Sequence, residues 1–361
     1  MNRGGAPALL IALLVCCGGA AAEPYLAVRE GLKCLSCHVN PSGGGLRTAF
    51  GNAYAQTRLA AERIETGDEI WTGVLNKFLA IGGDFRGAAS YTGVPRQKSQ
   101  SAFETQEFRL YAAASVIPDR LALYLDQRVA PGGSSNQEAY ARLSFGAGRY
   151  YLKAGQMYLP YGLRLEDDTA FIRQAPGINF TTPDNGLEFG LETQWWTAQL
   201  AVSNGSAGAA ENNSGKQASL RVEQVRNRWR AGFSANFNQA DRGDRNMQNL
   251  FVGLRTGPVV WLAEADHIDD DSLPSGRRRQ WAGLLEANWT WRQGQNLKLT
   301  TEYFEPNDAL DEDEQNRYSL VWEYTPIQFL QSRLGLRIND GIPQNDLQNR
   351  RTLFWGLHGF F

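Results

Sequence analysis

The chain is poor in side chains that bind metals or form crosslinks: four cysteines, three histidines and three methionines in 361 residues. It has no charge excess either, with 36 basic against 38 acidic residues, so nothing electrostatic points to nucleic acid as a partner. Past the N-terminus no apolar run approaches the roughly 20 residues a membrane helix needs. A barrel that crosses with alternating strands escapes that test, because its mean hydropathy stays low; here the mean hydropathy is −0.41. With so few histidines, and His267 expected to face outward, no Ser/His/Asp set emerges for a barrel hydrolase.

What is present begins with a leader. Arg3 supplies a charged start, residues 8–17 an apolar core, and Ala20-Ala21-Ala22 a small-residue cleavage site. Residues 1–22 therefore read as a signal peptide, with the mature chain beginning at Glu23 in the periplasm. The apolar core is too short for a membrane helix, and Val15 and Cys16 disfavour lipidation at Cys16 or Cys17. Two cysteines leave with the leader, and only Cys34 and Cys37 remain.

They stand in Cys34-Leu35-Ser36-Cys37-His38, a C-x-x-C-H pattern. Two thiols at this spacing can form thioethers to the two vinyl groups of one haem, with the following histidine as proximal iron ligand. A thioredoxin-like pair would need a βαβ setting, and a zinc site a second pair of ligands. In an oxidising compartment a plain disulfide is the remaining alternative. For the sixth iron position the mature chain offers His267, His358, Met157 and Met247. Alternation in the last strand puts Phe361, Gly359, Leu357, Trp355 and Leu353 on one face, so His358 points inward, near the periplasmic mouth. Met157 also points inward, if it shares a face with Lys153, but lies further out. His358 ranks first and Met157 second, with no protein ligand as a third possibility and a plain polar lumen role open for His358. Residues 46–64 read as a helix with a stripe of Leu46, Phe50, Tyr54 and Leu59, capped near Gly67.

From about Asn76 the period changes to two, clearest in Trp229, Ala231, Phe233, Ala235 and Phe237. A soluble sandwich also alternates. Short turns such as Pro118-Asp119-Arg120 alternate with long polar loops at 94–102, 204–215, 266–279 and 306–314, as periplasmic turns and extracellular loops do. Tryptophans sit near strand ends, and the chain closes on Phe360-Phe361. The expected fold is all-β: an up-and-down antiparallel transmembrane barrel of about sixteen strands, from 77–92 to 350–361, preceded by a small helical segment. The division is a signal peptide at 1–22, a monohaem segment at 23–75 and the barrel at 76–361. The longest loop, 163–185, is the third on the outer side; the third loop of porins commonly folds inward to constrict the lumen, and the same is expected here.

Pro24-Tyr25-Leu26-Ala27-Val28-Arg29-Glu30-Gly31, the haem motif, and Arg47-Thr48-Ala49-Phe50-Gly51 together resemble the fused cytochrome–porins, which include outer-membrane cytochromes of iron-oxidising bacteria. The resemblance implies one covalent haem c on Cys34 and Cys37, ligated by His38. It also implies electron transfer across the outer membrane, between a periplasmic cytochrome or cupredoxin and an extracellular donor such as Fe(II). The other reading is a diffusion porin for small anions or sugars, its lumen lined by Arg109, Arg128, Arg221, Arg230, Arg255, Arg317, Arg333 and Arg337. Acidic residues at 266–271 and 308–314 are expected on two outer loops, where carboxylates suit hard cations.

Overall fold

The computed structural model describes residues 23–65, 69–178, 182–211, 213–240 and 243–361; the expected signal peptide and the Gly67 cap lie outside them. Seventeen strands form one antiparallel sheet. The first, β1 (Val74–Asn76), is a short arm on β2 (Leu79–Gly93). The other sixteen close a barrel, because β17 (Arg351–Phe360) returns to pair with β2 from Arg351↔Gly93 to Phe360↔Asp84. Every expected strand has a counterpart. Several run further at the long-loop end than alternation suggests, among them β3 (Gln100–Ile117), β11 (Gly243–Thr256) and β12 (Val259–Asp270). Beyond the bilayer both faces meet water, so the ladder continues without an apolar face to mark it.

The outward face is the apolar one. Along β11 Leu250, Val252 and Leu254 are exposed while Phe251 and Gly253 are buried inside. Trp195, Trp196, Trp229, Trp289 and Trp291 ring the short-turn end, the position of an interfacial girdle. Leu250, 70% exposed, pairs with Phe233 midway along β10 (Trp229–Ala240). Leu250→Arg is expected to cost about 2–4 kcal/mol, the penalty for a cation at the bilayer midplane. Unfolding titrations in lipid vesicles measure it.

The N-terminal segment enters the barrel at the short-turn end. It forms α1 (Pro24–Glu30), the single turn α2 (Cys34–Cys37) and α3 (Ala49–Tyr54), which widens into a π turn at Ala55–Leu59. The helix expected over 46–64 is thus shorter at both ends. Leu46 and Arg47 are extended, bridging back to Val39 and His38, so Thr48 becomes the cap. Past Leu59 the backbone is drawn to the rim, where Ala61 and Glu62 donate to the carbonyls of Thr325 and Pro326. Phe50, part of the expected stripe, is 51% exposed.

The loop between β6 (Tyr150–Met157) and β7 (Asp184–Glu192) folds into the lumen as expected. Leu163 N donates to Glu264, Phe171 N to Glu302, and Asp167 pairs with Arg337 on the opposite wall. The loop therefore spans the barrel.

Candidate functional site

The two cysteines sit on α2 with their thiols unlinked, and His38 leaves the turn in extended conformation. The chain then doubles back through 39–46, and Thr48 N donates to Cys37 O while Thr48 Oγ1 donates to Ser36 O. This brings α3 against α2 at Gly51. A Cβ there would lie 2.2 Å from the Cys37 carbonyl oxygen, which is backbone and cannot yield cheaply. Gly51→Ala is expected to destabilise the packed segment by about 1–3 kcal/mol, as overpacking does. Faster proteolysis of the N-terminal segment in the folded protein is the readout.

Cys34, Cys37 and His38 line one cavity. Its walls include Leu26, Ala27, Leu32, Ala55 and Leu59 from the segment, Leu163 and Arg164 from the inward loop, and Arg221, Arg230, His358 and Phe360 from the barrel. It therefore reaches from the short-turn end to the constriction. The donor set suits a haem. Two free thiols and an imidazole share one apolar surface, and the His38 Nδ1 is buried with no hydrogen-bond partner among the described residues. Burial, then the nearby Arg47 guanidinium, lowers the His38 pKa to about 3, so the ring is in the neutral form that ligates iron. Arg47 reaches Asp84 through Nη2 at 3.2 Å and lies 4.6 Å over the Phe360 ring, while its Nη1 is buried without a partner. That donor, with Arg164 and Arg230, matches the anionic edge of a haem.

Of the two distal candidates, the cavity takes one. His358 is 5% exposed, inward-facing as parity requires, and lines it. Met157 also points inward but is packed with Leu46, Tyr111, Tyr124 and Tyr140, outside the cavity lining. Met247 packs with Tyr161 and Ile268. His267 faces outward, its ring 4.5 Å from that of Trp281.

The segment is fastened to the wall by polar anchors at wide sequence separation. Lys33 Nζ donates to Glu192 Oε2 at 2.8 Å and to the carbonyls of Thr193 and Trp196. Buried Asn40 donates to both oxygens of Glu138, and Arg142 and Arg230 donate to the carbonyls of Val39 and Leu32. Tyr25 donates to Glu323, and Lys298 to Glu23. None of these anchors is evident in the sequence, where Asn40 reads as an ordinary loop residue. The one available hint was their inward parity on otherwise regular strands.

On the far side of Glu23 and Glu166 lies a second chamber of about 780 Å³, lined by the inward loop and by Arg317, Arg333 and Arg337. The lumen arginines are largely matched by acids. Arg109 meets Asp126, Arg221 and Arg230 share Glu223, Arg317 meets Glu302, and Arg333 meets Glu166. The acidic cluster expected on the 266–279 loop is also corrected. Asp266, Asp269 and Asp270 lie on β12, Asp266 buried inside, and Asp269 and Asp270 pair with Arg277 and Arg245. Among the described residues no group of three or more His, Cys, Asp or Glu side chains is arranged to hold a metal ion.

The barrel resembles solved bacterial barrels. The anion-selective porin from Comamonas acidovorans matches with TM-score 0.61 and 11% identity over 78% of this chain and 99% of that one. OprB of Pseudomonas putida gives 0.61 and 9% over 80% and 95%. OmpT of Vibrio cholerae, an outer-membrane protein, gives 0.60 and 10% over 78% and 97%. No protein-family model matches the chain, and no curated protein sequence does. At these identities the likeness is one of fold: a porin-like barrel of the outer-membrane type.

Proposed function

We propose that this barrel sits in the outer membrane of a Gram-negative bacterium and carries electrons through it on one covalent haem c held in its lumen. The observation that supports this most is the shared cavity: Cys34, Cys37 and His38 line a space that runs from the short-turn end to the inward loop. The haem would supply a one-electron couple inside an apolar layer that otherwise insulates. The chain's own residues do the rest. Cys34 and Cys37 give the covalent hold, and His38 the proximal ligand. Lys33, Asn40, Arg142 and Arg230 fix the segment to the wall, so that it acts as a plug. The short-turn end faces the periplasm and a soluble cytochrome or cupredoxin there. The second chamber gives an extracellular donor, Fe(II) or another, an aqueous approach as far as Glu166.

The layout agrees with the fused cytochrome–porins. A reduced-minus-oxidised spectrum of purified protein tests the assignment, with c-type bands expected and their absence ending it. Protein in vesicles enclosing oxidised cytochrome c should then pass electrons inward from an impermeant external reductant.

A diffusion porin with an accessory haem segment is the second reading. The fold of the solved neighbours and the size of the outer chamber favour it. The paired lumen arginines speak against a strong anion preference.

A further inference from the structure

We infer that the barrel wall itself supplies the sixth iron ligand, through His358, and that Asp84 positions it. This rests on the haem reading above and adds a bond between plug and wall. Among the described residues, the nitrogen and sulfur groups lining the cavity apart from the motif are few. Lys33 spends its ammonium on Glu192 and two carbonyls. The guanidiniums of Arg47, Arg164, Arg221 and Arg230 and the amide nitrogen of Gln331 carry no available lone pair. Tyr54, the phenol on the lining, donates to Glu30 at 2.9 Å. His358 remains.

Its orientation is set from outside the cavity. Asp84 Oδ1 lies 2.7 Å from His358 Nε2, a charge-assisted hydrogen bond. Arg86 Nη2 approaches the same nitrogen at 3.3 Å, but the shorter contact to an anion puts the proton on Nε2. Nδ1 then keeps the free lone pair, on a side chain that lines the cavity. A ligating histidine whose other ring nitrogen donates to a carboxylate recurs in metal sites, the carboxylate fixing the tautomer and raising ligand basicity. Asp84 is held in turn by the Tyr111 hydroxyl at 2.7 Å and by Arg47. Arg47 is the bridge partner of His38. One continuous set of contacts thus links the proximal ligand to the distal one.

The experiment uses the full-length protein and four readouts: haem staining on a denaturing gel, heat-modifiable mobility for barrel folding, the ferric spectrum and the midpoint potential. His358→Ala should keep covalent haem and barrel mobility but convert a low-spin spectrum to high-spin, and added imidazole should restore low spin. Asp84→Asn should keep low spin and shift the potential upward, because a less basic imidazole stabilises ferric iron less. His358→Met should be low-spin, with a methionine-type spectrum and a higher potential. A folded His358→Ala protein with unchanged low-spin haem overturns the ligand assignment, and an unmoved potential in Asp84→Asn overturns the positioning role. Absence of covalent haem from the unmodified protein would instead fail the underlying reading, which the gel registers separately.

Discussion

Alanine at both Cys34 and Cys37 is expected to remove covalent haem completely. Thioethers need a thiol, and the described residues offer no other to substitute. A single replacement leaves one thioether and should lower haem retention without abolishing it. The barrel should survive both changes, since the ladder from β2 round to β17 closes without the segment's help. Haem staining after denaturing electrophoresis, with unheated samples for barrel mobility, measures the two effects apart. Staining that persists in the double variant would end the haem assignment.

The second large effect concerns conductance. A barrel of sixteen strands leaves an aqueous channel unless something fills it. The intact protein should therefore be nearly silent in planar bilayers. Replacing Lys33, Asn40 and Arg142 together by alanine removes anchors to Glu192, Glu138 and Val39, and leaves the Glu138 carboxylate buried with one partner fewer. Losing such contacts costs about 1–3 kcal/mol each. The anchors from Arg230, Tyr25 and Lys298 stay, so the plug is loosened and porin-sized steps should appear more often than in the intact protein. Porin-sized steps from the unmodified protein would favour the diffusion reading and retire the plug.

The barrel was largely legible because one physical rule acts on every strand: lipid requires apolar side chains on alternate residues. That rule located β10 from Trp229 to Phe237, and it turned His358 inward from nothing more than the placement of Phe361. It failed where the rule stops acting. Asp266, Asp269 and Asp270 read as a loop because strand ends in water carry no apolar mark, yet their backbone stays in the ladder. The 46–64 helix was overextended for a different reason. Leu46 and Arg47 fit a helical stripe, but the tertiary pull of Val39 and His38 makes them extended.

The haem motif could be read at once, its surroundings hardly at all. Asp84 and His358 are 274 residues apart, and only the register of β17 on β2 brings them together. Asn40 and Glu138, 98 apart, meet for the same kind of reason. Such pairs depend on where a barrel closes, which no local pattern encodes. The cavity also separated two inward residues that parity could not tell apart, enclosing His358 and leaving Met157 in a tyrosine cluster.

Cys34 and Cys37 face a space walled on one side by the plug and on the other by Arg221 and Arg230 from the middle of the barrel and by Gln331, His358 and Phe360 from its end. An enzyme that attaches haem is itself a protein, and it must reach two thiols that the docked segment turns toward the wall. On the haem reading, attachment would therefore precede the docking of the segment against the wall. A segment that docked before it was loaded would keep bare thiols for as long as it stayed docked. Late loading should therefore succeed better in the Lys33, Asn40 and Arg142 triple variant, whose segment is held less firmly, than in the unmodified protein.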